Sequence, residues 1–463
     1  MLLVKIGGDF SMKKKVMLKG KLLRVSILLM ALCTATIFFV TNSNVNNLVE
    51  NNVKAKLESI SYLGMDIIKS KYYGDWKSKG GKLFIGENPV NENFEILDAI
   101  KEKTGAFSAI YLGDESVASN LIDGDGKEAL GAKLSNEEAK KAIKNGYSYN
   151  GVEDVFGQKY DAKYVPIRDD TGEIIGTWLV GVLKSDVGSQ NEKMREVRTS
   201  IIVISVLCGM LGCIILMIYS KKYLKDVDTL KVSFLGSSSN NNKTQQKVLR
   251  MSFLLIGTFV VIWFVIQGFT IGNVANKIID SNIKDRLKVA SELGYMLIDE
   301  KYKGDWTIND NKLFKGTNSI NGNAEIVDTI GSITESRATV FMNDTRVTTN
   351  ILQDDGKRAI GTKASNEVIN TVLNQGKEFE GETTDLEKSC MARYMPIEDS
   401  SGKTIGMWFI GVDKKFINKQ ITSLRKPISQ ISLLAIIIAF LSFLFLSRRM
   451  VYDVDNFDIK LSA

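Results

Sequence analysis

The side chains best suited to bind a small molecule cluster in the second half of the chain. The stretch 346–350 reads Arg-Val-Thr-Thr-Asn, so Arg346, Thr348 and Asn350 are predicted to alternate onto one face of a strand, with Val347 and Ile351 on the other. A guanidinium beside a hydroxyl and an amide makes an anion-binding wall, because Arg presents a planar fork that meets a carboxylate with two parallel hydrogen bonds. The plain alternative is a solvent-facing strand. Arg358, in the Asp-Gly-Lys-Arg loop, is placed either to close over the same ligand or to stay a surface charge. Arg393 shares its strand period with Met391, Met395 and Ile397, and a cation on such a face needs a partner. A ligand carboxylate or an internal acid would serve. Tyr394 falls on the opposite face, where a core role is expected.

Covalent chemistry is not expected. The 463 residues contain no histidine, which removes the commonest general base and the commonest zinc ligand. No nucleophile motif surrounds any serine, so the chain reads as a non-enzyme without catalytic residues, cofactor or metal. Of four cysteines, Cys33, Cys208 and Cys213 lie in apolar runs, leaving Cys390 without a partner for a disulfide framework. Asp354-Asp355 sits in a turn without ligand-rich spacing, a weak calcium motif. Asp75-Trp76 and Asp305-Trp306 follow glycines and read as packed bends.

Charge and apolar patterning imply a membrane. Four charge-free runs occupy 25–40, 200–220, 251–272 and 428–446. About 20 apolar residues cross a hydrocarbon core of about 30 Å, and the first run reaches that length if 41–45 is counted. Lys and Arg concentrate in 1–24 and 221–250 and recur at Arg448 and Arg449, which predicts that these segments and both termini face the cytoplasm. The net charge of +7 is thus a topology signal, and nucleic acid is not an expected partner. The spans hold no Asp, Glu, Lys or Arg, which argues against a transporter. The expected organisation is a basic N-terminus (1–24), span 1 (25–42), outside domain A (43–199), span 2 (200–220), a cytoplasmic linker (221–250), span 3 (251–272), outside domain B (273–427), span 4 (428–446) and a cytoplasmic tail (447–463). The chain is expected in the cell membrane as a multi-pass protein.

The outside domains are copies of each other. A shift of 230 positions (304 − 74) lays Gly74-Asp75-Trp76 on Gly304-Asp305-Trp306 without a gap through Lys184. Asp125-Gly126-Lys127 meets Asp355-Gly356-Lys357, and Tyr164-x-Pro166-Ile167 meets Tyr394-x-Pro396-Ile397. Ile175-Gly176-x-Trp178 meets Ile405-Gly406-x-Trp408. Such self-similarity is the signature of duplication.

Each copy begins with an amphipathic helix leaving the membrane, marked by Val49, Val53, Leu57, Ile60 and Ile67, and by Ile279, Ile283, Leu287, Ala290, Leu293 and Leu297. A short helix near 325–330, strands at 338–342 and 346–351, a helix capped by Ser365, and strands at 391–397 and 404–412 follow. Ser135 and Glu138 read as a capping box in the first copy. The predicted class is α+β, with one antiparallel sheet per domain.

The membrane-exit helix, the Gly-Asp-Trp bend, the stretches 344–350 and 356–362, and Tyr394-x-Pro396-Ile397 through Gly411-Val412 together resemble the single Cache domains of bacterial methyl-accepting chemotaxis receptors. The resemblance covers nearly all of both outside segments. It implies PAS-like extracytoplasmic sensors whose sheet cradles a small ligand, often a carboxylate or amino acid. It also implies dimerisation through the exit helices, here as a pseudo-dimer of A and B within one chain. Unlike those receptors, 221–250 and 447–463 have no room for a HAMP linker or a methyl-accepting coiled coil. The expected function is a membrane sensor of an anionic metabolite, chemoreceptor-like in signalling. The alternatives are an accessory protein that pairs with full-length chemoreceptors, or a truncated receptor. Because Ser116, Glu128 and Lys163 replace Arg346, Arg358 and Arg393, domain A is expected to bind something different or nothing.

Overall fold

The computed structural model describes residues 46–122, 128–184, 239–386 and 388–419, with scattered helical positions within 35–43, 199–214 and 421–441. The expected spans 25–42, 200–220 and 428–446 lie mostly outside those residues, as do both terminal segments and much of 221–250. Among the described residues no helix is long and apolar enough to cross a membrane, most side chains of 251–272 lying outside that description.

Domain A runs from helix α1 (46–72) through β1 (Trp76–Lys79), β2 (Lys82–Ile85), β3 (Asn88–Pro89), α2 (Glu95–Thr104), β4 (Phe107–Leu112), β5 (Glu115–Ser119), α3 (Glu137–Lys144), β6 (Tyr149–Val155) and β7 (Gln158–Arg168) to β8 (Ile174–Leu183). Domain B repeats this order. It comprises α4 (Ser239–Lys301), β9 (Trp306–Asn309), β10 (Lys312–Lys315), β11 (Asn318–Ser319), α5 (Glu325–Thr334), β12 (Arg337–Met342) and β13 (Thr345–Thr349). A one-turn helix α6 (Asn366–Val368) then widens into a π-helical stretch (Ile369–Asn374), followed by β14 (Phe379–Asp385), β15 (Lys388–Glu398) and β16 (Thr404–Asp413). The expected third run, 251–272, lies within α4.

Each domain has two antiparallel sheets, not the one expected. The five-stranded sheets have the order β5-β4-β8-β7-β6 and β13-β12-β16-β15-β14. The small three-stranded sheets, β1–β3 and β9–β11, turn on Gly80-Gly81 and on Asp310-Asn311, all four with positive φ. Two such residues suit the type I′ hairpin, whose twist matches the flanking strands. The second difference is β14, whose Phe-Glu-Gly-Glu-Thr-Thr-Asp lacks apolar alternation because it lies at the sheet's edge.

The large sheet of B is covered on both faces. On its inner face Phe341, Tyr394, Met407 and Phe409 pack with Ile351, Ala359, Val368 and Val372. On the outer face the exit helix lies directly on Trp408, whose indole N–H donates to the Ser291 carbonyl at 3.0 Å. Gly294 makes this approach possible, since a Cβ there would come within 2.9 Å of the Trp408 ring. Domain A repeats the device with Gly64, Trp178 and a 3.1 Å bond to the Ser61 carbonyl. The two domains also touch. Lys103 at the end of α2 reaches Glu292 of α4 at 3.5 Å. Burial pushes the Asp66 carboxyl of α1 up, and the charges of Lys69 and then of Lys301 on α4 offset part of that rise.

Behind the exit helix, Gly304 takes φ +109° and lies against the small sheet, where an added Cβ would come within 2.7 Å of the Gly316 Cα. Gly304→Ala therefore strains the backbone and displaces another, and is expected to cost about 1–3 kcal/mol or more in chemical unfolding. Gly402→Ala, with φ +81° but open space around it, is expected to cost less in the same assay.

Candidate functional site

A β-bulge decides which of the predicted residues meet. In the β12–β13 pairing, Thr348 lies opposite Val340, but the register shifts and Arg346 lies opposite Phe341. Val340 and Phe341 are consecutive and point to opposite faces, so Arg346 and Thr348 do too. The expected single wall of Arg346, Thr348 and Asn350 is therefore not formed. Arg346 goes to the inner face, while Thr348 donates to the Asn323 carbonyl (2.7 Å) and the Asn350 amide to the Ser336 carbonyl (3.0 Å).

Arg346 is 1% exposed. Its Nη1 donates to Thr362 Oγ1 at 2.6 Å and its Nη2 to Asp385 Oδ1 at 2.5 Å, and the guanidinium stands 5.1 Å from the Phe341 ring centroid. Its Nε–H has no partner. Asp385 comes from β14, the strand the sequence reading missed, and its other oxygen faces Arg337 at 3.3 Å, which in turn pairs with Asp413 at 2.6 Å. Burial first, and then the Asp385 charge, push the Tyr394 phenol up and the Cys390 thiol up to about 12. Cys390 is thus an inert neutral thiol at ordinary pH.

Arg358 and Arg393 do not join Arg346. Arg358 grips Asp328 on α5 with two bonds of 2.8 and 2.7 Å and donates to the Thr349 carbonyl at 2.6 Å. Arg393 is buried on the outer face with internal acids as partners, Glu292 of the exit helix at 2.9 Å and Glu378 at 2.6 Å. Its Nε also lacks a partner. Tyr394, one residue on, lies in the inner-face core, as strand period requires.

Domain A carries a different inner face. Glu153 on β6 is 1% exposed and accepts from the Ser135 amide and hydroxyl, both at 2.8 Å, and from the Tyr164 hydroxyl at 2.5 Å. The expected Ser135 capping box is not made, because Ser135 is spent on Glu153. Asn136 caps α3 instead, accepting from the Ala139 amide at 3.0 Å. On the outer face Lys163 stands where B has Arg393, 3.3 Å from Glu58 and 5.0 Å above the Tyr62 ring.

A buried charge pair resists removal of one partner. Asp385→Ala would leave Arg346 uncompensated and is expected to destabilise the protein by about 3–5 kcal/mol in chemical unfolding, whereas the apolar double replacement Arg346→Met/Asp385→Leu should recover most of that loss.

Residues 88–194 and 318–424 each match the family described as Single cache domain 3. No curated protein matches the chain. Among solved structures, the crystal structure of the E. coli DcuS sensor domain is 18% identical over 22% of this chain and 73% of its own, with a TM-score of 0.18. The structure of an RNA-binding Light-Oxygen-Voltage receptor is 9% identical over 69% of this chain and 98% of its own, with a TM-score of 0.16. The doubled family match falls on the sheet-bearing part of each α+β lobe, so the chain contains two tandem regions of the single Cache domain type.

Proposed function

We propose that this protein is a membrane-anchored sensor in which domain B binds a small carboxylate-bearing metabolite at Arg346, outside the cell. The supporting observation is the Arg346 guanidinium, buried on the inner face of the sheet with its Nε–H unspent. A donor sealed from water without an acceptor costs free energy, and a ligand oxygen would relieve that cost. Arg358, Arg393, Thr348 and Asn350 serve the scaffold in this reading, since their polar groups hold α5, the exit helix and the adjoining backbone.

The membrane part rests on sequence and length. The run 251–272 lies within the continuous helix α4, and 22 helical residues rise about 33 Å, enough for a hydrocarbon core of about 30 Å. The same helix carries Glu292, the partner of Arg393. Ligand at Arg346 would then act on β15 and through Arg393 on α4, shifting the helix relative to α1 in a pseudo-dimer of A and B. The lobes' contact at Lys103 and Glu292 favours such a pair.

A thermal-shift screen of the detergent-solubilised protein against carboxylates and amino acids tests the proposal. A ligand at 100 times its dissociation constant adds about 2.7 kcal/mol, so at least one carboxylate should raise the melting temperature. Arg346→Lys, which keeps a charge for Asp385 but loses the fork, should abolish the shift. Full retention of the shift in that variant would overturn the assignment.

A further inference from the structure

Domain A has kept the acid of this inner face and lost the base. At the position of Arg346 stands Ser116, at that of Thr362 Ala132, and at that of Asp385 Val155. The acid reappears two residues earlier as Glu153, in place of Thr383. Strand alternation keeps positions 153 and 155 on the same face. Among the described residues no Lys or Arg forms an ion pair with Glu153. The nearby Lys140 is bonded to Glu137 at 2.9 Å and acts on Glu153 only through space. The carboxylate is therefore held by neutral donors alone, two from Ser135 and one from Tyr164.

A second observation points to a missing occupant. Ser116 is 3% exposed, and its hydroxyl has no partner. It lies opposite Tyr111 across the β4–β5 pair, and Tyr111 belongs to the inner-face cluster with Tyr164 and Leu179. Glu153 bonds to the same Tyr164, so the orphan hydroxyl and the unpaired carboxylate share one face. The exchange of Arg for Ser also removes the bulk of a guanidinium from that face.

We propose that domain A binds a small cationic amine on this face, with the ligand ammonium donating to Glu153 and to the Ser116 hydroxyl. An ammonium brings three donors and no acceptor, and a carboxylate accepting three bonds still has lone-pair capacity. The Tyr111 and Tyr164 rings would add a cation–π surface. The two lobes would thus sense ligands of opposite charge from one duplicated frame. The inference rests on the reading of the inner face as the ligand face.

The test uses the whole detergent-solubilised protein, with methylamine, ethanolamine and putrescine as probes in calorimetry and thermal shift. At least one amine should bind wild type, and Glu153→Gln should weaken it about 10- to 100-fold, the range for losing a charged hydrogen bond. Ser116→Arg, which restores domain B's residue and gives Glu153 an internal cation, should also abolish amine binding while leaving the protein folded. Arg346→Lys should leave it unchanged. Absence of amine binding to wild type, or unaltered binding in both Glu153→Gln and Ser116→Arg, overturns the proposal. If amines bind through Glu153 while no carboxylate responds to Arg346→Lys, only the reading of domain B fails. If carboxylates respond to Arg346→Lys and no amine binds, only the present inference fails.

Discussion

A charge sealed inside a protein must be compensated there by an opposite charge or by hydrogen bonds, and the two lobes meet that demand in different ways. In domain B, Arg346 is buried among aromatic rings and is neutralised by Asp385, itself shared with Arg337. In domain A the cation is gone, and Glu153 is held by a backbone amide and two hydroxyls. Desolvating an ion costs several kcal/mol, and a fold has no structural need to keep a buried carboxylate once its cation has been replaced. A frame that pairs its charges in one copy and leaves a carboxylate with neutral donors on the same face of the other is what two binding faces of different preference would require.

The sheet connects that face to the helix behind it. Tyr394 and Arg393 are neighbours on β15, one turned into the inner core and the other toward Glu292 of the exit helix. One strand over, Phe409 lies inward and Trp408 outward, with its indole bonded to the helix backbone at Ser291. Displacement on the inner side therefore has only one residue to travel before it reaches α4. Packed interiors transmit strain because they have few voids to absorb it. Glu292 further joins Arg393 to Lys103 of domain A, so the same carboxylate stands at the end of the strand path and at the contact between lobes.

Much of this arrangement was legible in the sequence. The duplication, the exit helices, the strands that carry Tyr394 and Trp408, and the outward course of Arg393 all follow from periodicity and self-alignment. The small hairpin sheets were missed although Gly80-Gly81 is a two-residue turn signal of the kind that marks hairpins. Their strands are too short for alternation to register. The wall of Arg346, Thr348 and Asn350 failed for a different reason. Strict alternation assumes an unbroken register, and the bulge facing Val340 and Phe341 adds one residue that no local pattern announces. Asp385 and Glu153 escaped because edge strands rich in Glu, Thr and Asp read as loops, and their roles depend on partners in distant sequence.

In the proposed mechanism the Arg346 side chain is the contact through which domain B senses its ligand. Selective nitrogen-15 labelling of arginine, with the Arg346 Nε–H resonance assigned from the Arg346→Lys variant, measures this directly in the intact protein. This resonance should move and saturate with the same dissociation constant as the thermal response to a stabilising carboxylate. A carboxylate that saturates the protein while the Arg346 Nε–H signal stays in place would contradict that mechanism.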